Sequence, residues 1–141
     1  MFLVNVEGAV FKEDKWLIIW RSEKEEHAGG GLALVGGTVE NEGNSVDILE
    51  RTLRRELLEE VGIEVKTKLS YVRSTSFMLE NGSEVIDIVF LCEYDKGEAY
   101  AKSPDEVDAV YWMNTDEILG HPKAPIWLKD SIRAAQKLRH R

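Results

Sequence analysis

The sequence has little cysteine and no long apolar run. Cys92 is the only cysteine among 141 residues, so an intrachain disulfide and a zinc site built from thiolates are excluded, and a reducing compartment is expected. No apolar run approaches the roughly 18 residues that a membrane-spanning helix needs. The segment from Met1 to Val10 alternates apolar and polar residues and lacks the basic start and long apolar core of a signal peptide. We therefore expect a soluble, cytoplasmic protein.

Basic residues are also in the minority. The chain has 26 acidic and 18 basic residues and a formal charge of −8. This balance argues against a protein that holds DNA or RNA through a cationic face. It does not exclude an anionic substrate, because a multivalent cation can invert the local charge of a site. The length and the 43% hydrophobic content predict one domain that spans residues 1–141.

The apolar periodicity changes from strand-like to helical and back along the chain. The predicted strands are 3–11, 16–20, 32–35, 64–79, 84–93 and 107–113. A helix of about 16 residues is predicted between Ser45 as N-cap and Gly62 as C-terminal glycine, because apolar residues recur at helical spacing (Val46, Leu49, Leu53, Leu57). Two further helices are predicted after Thr115 and after Pro125. This order predicts an α/β fold with a mixed β-sheet and helices on both faces.

A cluster of glutamates lies near the C-terminal end of the predicted long helix. Glu56 is three residues from Glu59 and four from Glu60, so the three carboxylates project from one helix face. The helix dipole is negative at this end, and two carboxylates about 5 Å apart repel by roughly 3 kcal/mol at an effective dielectric of about 20. Hard divalent cations such as Mg²⁺ or Mn²⁺ prefer oxygen ligands and would neutralise this charge. The alternative is a solvated acidic helix face without a ligand.

The residues around this cluster resemble a known signature, the Nudix box of the MutT-like hydrolases. The run Arg55-Glu56-Leu57-Leu58-Glu59-Glu60-Val61-Gly62-Ile63 matches the second half of the box at every specified position. Gly36 and Gly37 end an apolar strand ahead of the helix, as the strand-loop-helix-loop form of the box requires. The resemblance also includes an acidic residue, Glu106, just before a late strand that carries Trp112. It implies a Nudix-type α/β/α sandwich with a mixed β-sheet.

The first half of the box departs from the usual pattern. The interval between Gly37 and Arg55 is four residues longer than in the usual box. In addition, Asn44 stands where the family has glutamate after the loop glycine. Four residues are close to one helical turn, so either a longer helix or a longer loop would absorb them and keep the facing of the glutamates. Glu40 and Glu42 are candidates to replace the missing acid.

The resemblance implies roles for individual residues of the box. Glu56, Glu59 and Glu60 would bind Mg²⁺ or Mn²⁺, and Glu56 or Glu59 would lie beside the attacking water. The carbonyl of Gly36 would be a further ligand, since a glycine pair lets the backbone approach an ion closely. Arg55 would hold the carboxylates in position by charge-assisted hydrogen bonds. Its alternative role is that of an exposed helix cation paired with Glu59.

Three further residues are candidates through the same resemblance. Glu106 would be another metal ligand, or else part of an acidic loop with Asp105 and Asp108. Arg21 and Gly37 would contact the substrate. Arg21, which follows the second predicted strand, has a plain alternative as a solvated cation at a strand end.

Taken together, these residues imply a metal-dependent hydrolase that cleaves a diphosphate linkage. The substrate would be a nucleoside triphosphate or a nucleoside diphosphate linked to another moiety, and the cofactor would be Mg²⁺ or Mn²⁺. Two other hypotheses compete with this one: a non-catalytic nucleotide sensor with the same fold, and an acidic scaffold. The expected partner is a nucleotide-type small molecule, with no nucleic acid polymer and no membrane. The sequence leaves a homodimer open and does not specify the nucleotide or the phosphorus attacked.

Overall fold

A computed structural model describes residues 1–25 and 29–140. The strands are β1 (Phe2–Lys12), β2 (Lys15–Arg21), β3 (Leu32–Ala33), β4 (Val35–Thr38), β5 (Glu64–Met78), β6 (Glu84–Lys96) and β7 (Val107–Asn114). The helices are α1 (Ile48–Val61), α2 (Thr115–Leu119) and α3 (Ile126–Arg139). The predicted strand 32–35 is two short strands, the second of which includes both glycines of the box. Within the described residues, no helix is long and apolar enough to cross a membrane.

Strand β1 lies at the centre of a mixed sheet. It pairs in parallel with β6 and antiparallel with β2 and β4, while β6 pairs with β5 and β2 pairs with β3 and β7. Successive side chains of a strand point to opposite faces, and β1 is apolar on both. Val6 and Val10 belong to the core cluster that contains Leu53 and Leu57 of α1. Ala9 belongs to a second cluster with residues of α3 on the other face. The predicted α/β/α sandwich is confirmed.

The start of α1 differs from the prediction. The helix begins at Ile48 and has 14 residues, and the residue before it, Asp47, has a left-handed backbone with φ 55° and no side-chain cap. The hydroxyl of Ser45 donates to Glu42 instead of capping the helix. Val46, which the periodicity assigned to the buried helix face, is 77% exposed. A longer loop, not a longer helix, therefore absorbs the extra residues of the box.

That loop is tied to the helix by one arginine. The Arg51 guanidinium donates to the Ser45 hydroxyl at 2.6 Å, to a Glu42 carboxylate oxygen and to the backbone carbonyl of Val46. Glu42 is thus the partner of a cation in the loop, which makes it a loop anchor. The C-terminal end of α1 follows the prediction, since Gly62 is the C-cap with φ 74° and its N–H bonds to the last turn.

Candidate metal centre

Carboxylates from two parts of the chain converge at the C-terminal half of α1. Glu56 and Glu60 come from the helix, and Glu106 comes from the turn before β7. One carboxylate oxygen from each of the three residues lies within 4.8 Å of the others. Such a distance brings three like charges into contact range, where their repulsion is costly unless a proton or a cation offsets it.

The second glycine of the box fits closely against this group. A Cβ atom at residue 37 would lie 2.5 Å from Cδ of Glu56 and 2.8 Å from its Cγ and Oε1. No side chain is compatible with that distance, so glycine at position 37 is what lets the Glu56 carboxylate lie against strand β4. The sequence predicted a substrate contact for Gly37. The structure adds that this residue makes room for a carboxylate of the cluster.

The first glycine of the box, Gly36, lies against the backbone of β1 and not against a carboxylate of the cluster. A Cβ atom at residue 36 would lie 2.1 Å from the backbone oxygen of Val6 and 3.0 Å from Cγ of Glu7. Gly36 is paired with Glu7 in the antiparallel ladder between β1 and β4. Its lack of a side chain therefore permits the close approach of the two strands, while the role of its carbonyl as a ligand stays a prediction.

Glu60 is the most buried member of the group. Its residue is 5% exposed, and Oε2 has no hydrogen-bond partner among the described residues. Burial raises the pKa of Glu60 to about 10, with further contributions from the hydrogen bond and charge of Glu56 and from the charge of Glu106. Without a cation, this carboxyl is protonated at neutral pH.

Glu106 is more exposed than Glu60, but it is also close to the negative charges of other glutamates. Its pKa is raised by partial burial and by the charges of Glu56, Glu25 and Glu59, while a hydrogen bond from Ser103 opposes the rise. The donor set consists of oxygens only, and one buried oxygen of Glu60 has no partner among the described residues. Both features fit Mg²⁺ or Mn²⁺ better than a softer metal ion.

The structure leaves Glu59 outside the group of three. Its side chain is 62% exposed, and Oε1 lies 3.9 Å from Nε of Arg55. The same guanidinium reaches Glu56, with Nη2 3.3 Å from Oε1. Arg55 therefore lies between two glutamates, as a residue that positions carboxylates would. Glu59 is still close enough for its charge to raise the pKa of Glu106.

Arg21 lies at the end of β2, close to these acids. Its side chain is 30% exposed, and Nη2 is 3.5 Å from a carboxylate oxygen of Glu25. Its positive charge lowers the pKa of Glu60 and also that of Glu7 on the neighbouring strand. The guanidinium is thus the cation that borders the carboxylate group from the side of β2.

Sequence analysis missed a second pair of acids, Glu7 of β1 and Asp87 of β6. Burial raises the pKa of both, and the pair shares a hydrogen bond near Arg73. Asp87 is 8% exposed and is paired in register with Asn5, two residues before Glu7 on the same face. Sequence analysis did not single out Glu7, because the polar residues of β1 were noted only as part of an alternating pattern. Its burial follows from the central position of β1, which has a core cluster on each face.

The chain was compared with known protein families and proteins. The profile of the NUDIX domain family matches residues 1–135. No curated relative matches the sequence significantly.

Solved structures with the same fold are numerous. The MutT NUDIX hydrolase from Burkholderia pseudomallei is 24% identical, with a TM-score of 0.79 over 95% of this chain and 98% of that one. The MutT protein from Methanosarcina mazei Go1 is 23% identical, with a TM-score of 0.82 over 99% of this chain and 96% of that one. The NUDIX domain of NrtR from Shewanella oneidensis, solved with ADP ribose, is 17% identical, with a TM-score of 0.72 over 98% and 89%.

Proposed function

The chain belongs to the NUDIX domain family. We propose that it is a pyrophosphohydrolase that cleaves its substrate with divalent metal ions held by Glu56, Glu60 and Glu106. The observation that carries this proposal is the convergence of the three carboxylates within 4.8 Å, with one buried oxygen of Glu60 unpartnered among the described residues. Mg²⁺ or Mn²⁺ at this position would polarise a phosphoryl oxygen and lower the pKa of a water molecule.

The protein's own groups would divide the remaining work. The Gly36 carbonyl would add a ligand, and Gly37 would let both Glu56 and a substrate phosphate approach β4 closely. Arg55, which lies within 3.9 Å of Glu59 and 3.3 Å of Glu56, would keep both carboxylates oriented. Glu59 or Glu56 would accept the proton of the attacking water. Arg21 would pair with a substrate phosphate.

We propose as substrate a nucleoside triphosphate or a nucleoside diphosphate linked to another moiety. ADP ribose, which the NUDIX domain of NrtR holds, has the second type of structure. A competing function is a sensor that binds such a nucleotide without cleaving it. Three converging carboxylates favour the enzyme, since binding alone does not require them.

A screen separates these functions. Wild-type protein is incubated with nucleoside triphosphates, ADP-ribose, sugar nucleotides and dinucleoside polyphosphates, with Mg²⁺, with Mn²⁺ or with EDTA. Metal-dependent release of phosphate, pyrophosphate or a nucleoside monophosphate is expected. Nucleotide binding without release would identify a sensor. The absence of both binding and release would favour the acidic scaffold.

In the same screen, Glu59→Gln is expected to lower kcat by about a hundredfold if Glu59 accepts the proton of the attacking water. The melting temperature in EDTA should not fall, because the side chain is 62% exposed and its removal relieves repulsion. The matched control is Glu64→Gln, an exposed acid paired with Lys96 at 3.6 Å. Full turnover with unaltered metal dependence in Glu59→Gln would remove this residue from the mechanism.

Arg21→Ala is expected to raise KM by about tenfold and to change kcat little, because a charge-assisted bond to the substrate is lost in the ground state and in the transition state alike. Steady-state kinetics with the best substrate of the screen measures both constants. Arg133→Ala is the control, since Arg133 is likewise paired with a nearby acid, Asp130, at 3.0 Å. An unchanged KM together with a lower melting temperature would assign Arg21 to stability instead.

A further inference from the structure

Glu106 differs from the other two carboxylates of the cluster because no helix holds it. It belongs to a turn before β7 and is exposed. A solvated carboxylate on a turn samples several rotamers, and ordering it on an ion costs conformational entropy. Some other contact must therefore set where this carboxylate lies.

The chain before Glu106 is attached to the end of α1. The backbone N–H of Tyr100 donates to the carbonyl of Val61 at 3.1 Å, and that of Lys102 donates to the carbonyl of Glu60 at 3.0 Å. The Lys102 ammonium also donates to the carbonyl of Leu58 at 3.2 Å. The two backbone bonds satisfy the carbonyls of Val61 and Glu60, which the helix itself leaves unpaired, while the Leu58 carbonyl also accepts from the N–H of Gly62 at 3.2 Å. The next residue, Ser103, therefore follows directly after a backbone bond to Glu60.

Ser103 makes three hydrogen bonds here, two with Glu106 and one with Val107. Its carbonyl accepts from the backbone N–H of Glu106 at 3.0 Å and from that of Val107 at 2.8 Å. Its hydroxyl donates to Oε2 of Glu106 at 3.2 Å. On the opposite side, the carbonyl of Glu106 accepts from the N–H of Ser22 at 3.0 Å, next to Arg21. The backbone of Glu106 is thereby fixed at both ends, and the hydroxyl of Ser103 fixes its side chain.

We propose that Ser103 is a positioning residue that orients the Glu106 carboxylate for metal binding. A carboxylate has two oxygens, so one accepts from Ser103 while the other binds an ion. This inference rests on the proposed function, because it takes the three carboxylates to be the metal site.

The test measures metal affinity without any substrate. Mn²⁺ is titrated calorimetrically into metal-free protein, for wild type, Ser103→Ala, Ser103→Thr and Ser76→Ala. Groups that orient a ligand typically contribute 10–100-fold in affinity, so Ser103→Ala is expected to raise the Kd for Mn²⁺ by about tenfold. Ser103→Thr keeps the hydroxyl and should restore most of the affinity. Ser76→Ala removes an exposed hydroxyl from β5 and should change nothing.

A double-mutant cycle separates positioning from general damage. In the Glu106→Gln background, Ser103→Ala should have little further effect on the Kd, because the carboxylate that it orients is gone. An unchanged Kd in Ser103→Ala, or an equal loss in both backgrounds, would overturn the inference and leave the proposed function in place. If the wild type bound no Mn²⁺, the proposed metal site itself would fail, and the inference with it.

Discussion

Gly37→Ala is expected to lower kcat/KM by at least about a hundredfold while the protein still folds. The new methyl group would lie 2.5 Å from Cδ of Glu56, so the carboxylate must leave its place against β4. Misplacing a reacting or ligating group by about 1 Å commonly costs about a hundredfold in rate. The atoms in conflict belong to the end of a flexible side chain, so the carboxylate can move aside at little cost to the fold.

Two other glycines are matched controls for this prediction. At Gly31 the nearest heavy atom to an added Cβ is 3.5 Å away, an ordinary contact, so Gly31→Ala should retain activity. At Gly36 the added Cβ would lie 2.1 Å from a backbone oxygen of β1, so Gly36→Ala should lower the melting temperature. Assays of kcat/KM and thermal melting on the three variants measure both quantities. Normal turnover of Gly37→Ala would mean that Glu56 works from another position.

Glu60→Gln is expected to stabilise the metal-free protein at neutral pH and to abolish its stabilisation by metal. The pKa of Glu60 is raised from 4.5 to about 10 in the folded protein. As pH rises above about 4.5 the unfolded chain ionises this group and the folded protein does not, so stability falls between these two values. At pH 7 the penalty is on the order of 3 kcal/mol, and glutamine does not carry it.

Thermal melting in EDTA from pH 4.5 to pH 9 checks the first half of this expectation. The two proteins should melt alike at the acid end, and the variant should melt higher as the pH rises. The second half is checked by adding millimolar Mn²⁺, which should raise the melting temperature of the wild type only. If Glu60→Gln melts lower than wild type at pH 8 in EDTA, the buried carboxyl contributes stability and the electrostatic account is incorrect.

The sequence predicts the fold and the end of α1 well because both depend on local patterns. Leu53 and Leu57 at helical spacing, followed by Gly62, are sufficient to define a buried helix face and its end. The start of the helix is different, since two local interactions compete there. Ser45 is a good capping residue, but its hydroxyl bonds to Glu42 and Arg51, so the helix begins two residues later than predicted, at Ile48.

Local sequence spacing predicts only part of the carboxylate group. Glu56 and Glu60 are one helical turn apart, which the spacing shows. Glu59 has nearly the same spacing, yet its side chain points to solvent because α1 packs on the sheet and only one edge of its acidic face meets the turn before β7. The distance from Glu56 to Glu106 depends on how β7 pairs with β2, which no local pattern reports. Contacts of this kind are visible only after the sheet is assembled.

The loop that joins β4 to α1 has a consequence for evolution. It carries the extra residues of the box on the surface, where a Cβ added at Gly43 would meet no heavy atom of the described residues within 4 Å, and Arg51 fastens it to the helix. The number of residues in this loop can therefore change during evolution, whereas the spacing from Glu56 to Glu60 cannot. Descendants of one ancestral enzyme can differ in this interval and keep the same chemistry, so a search pattern with a fixed interval overlooks such members of the lineage.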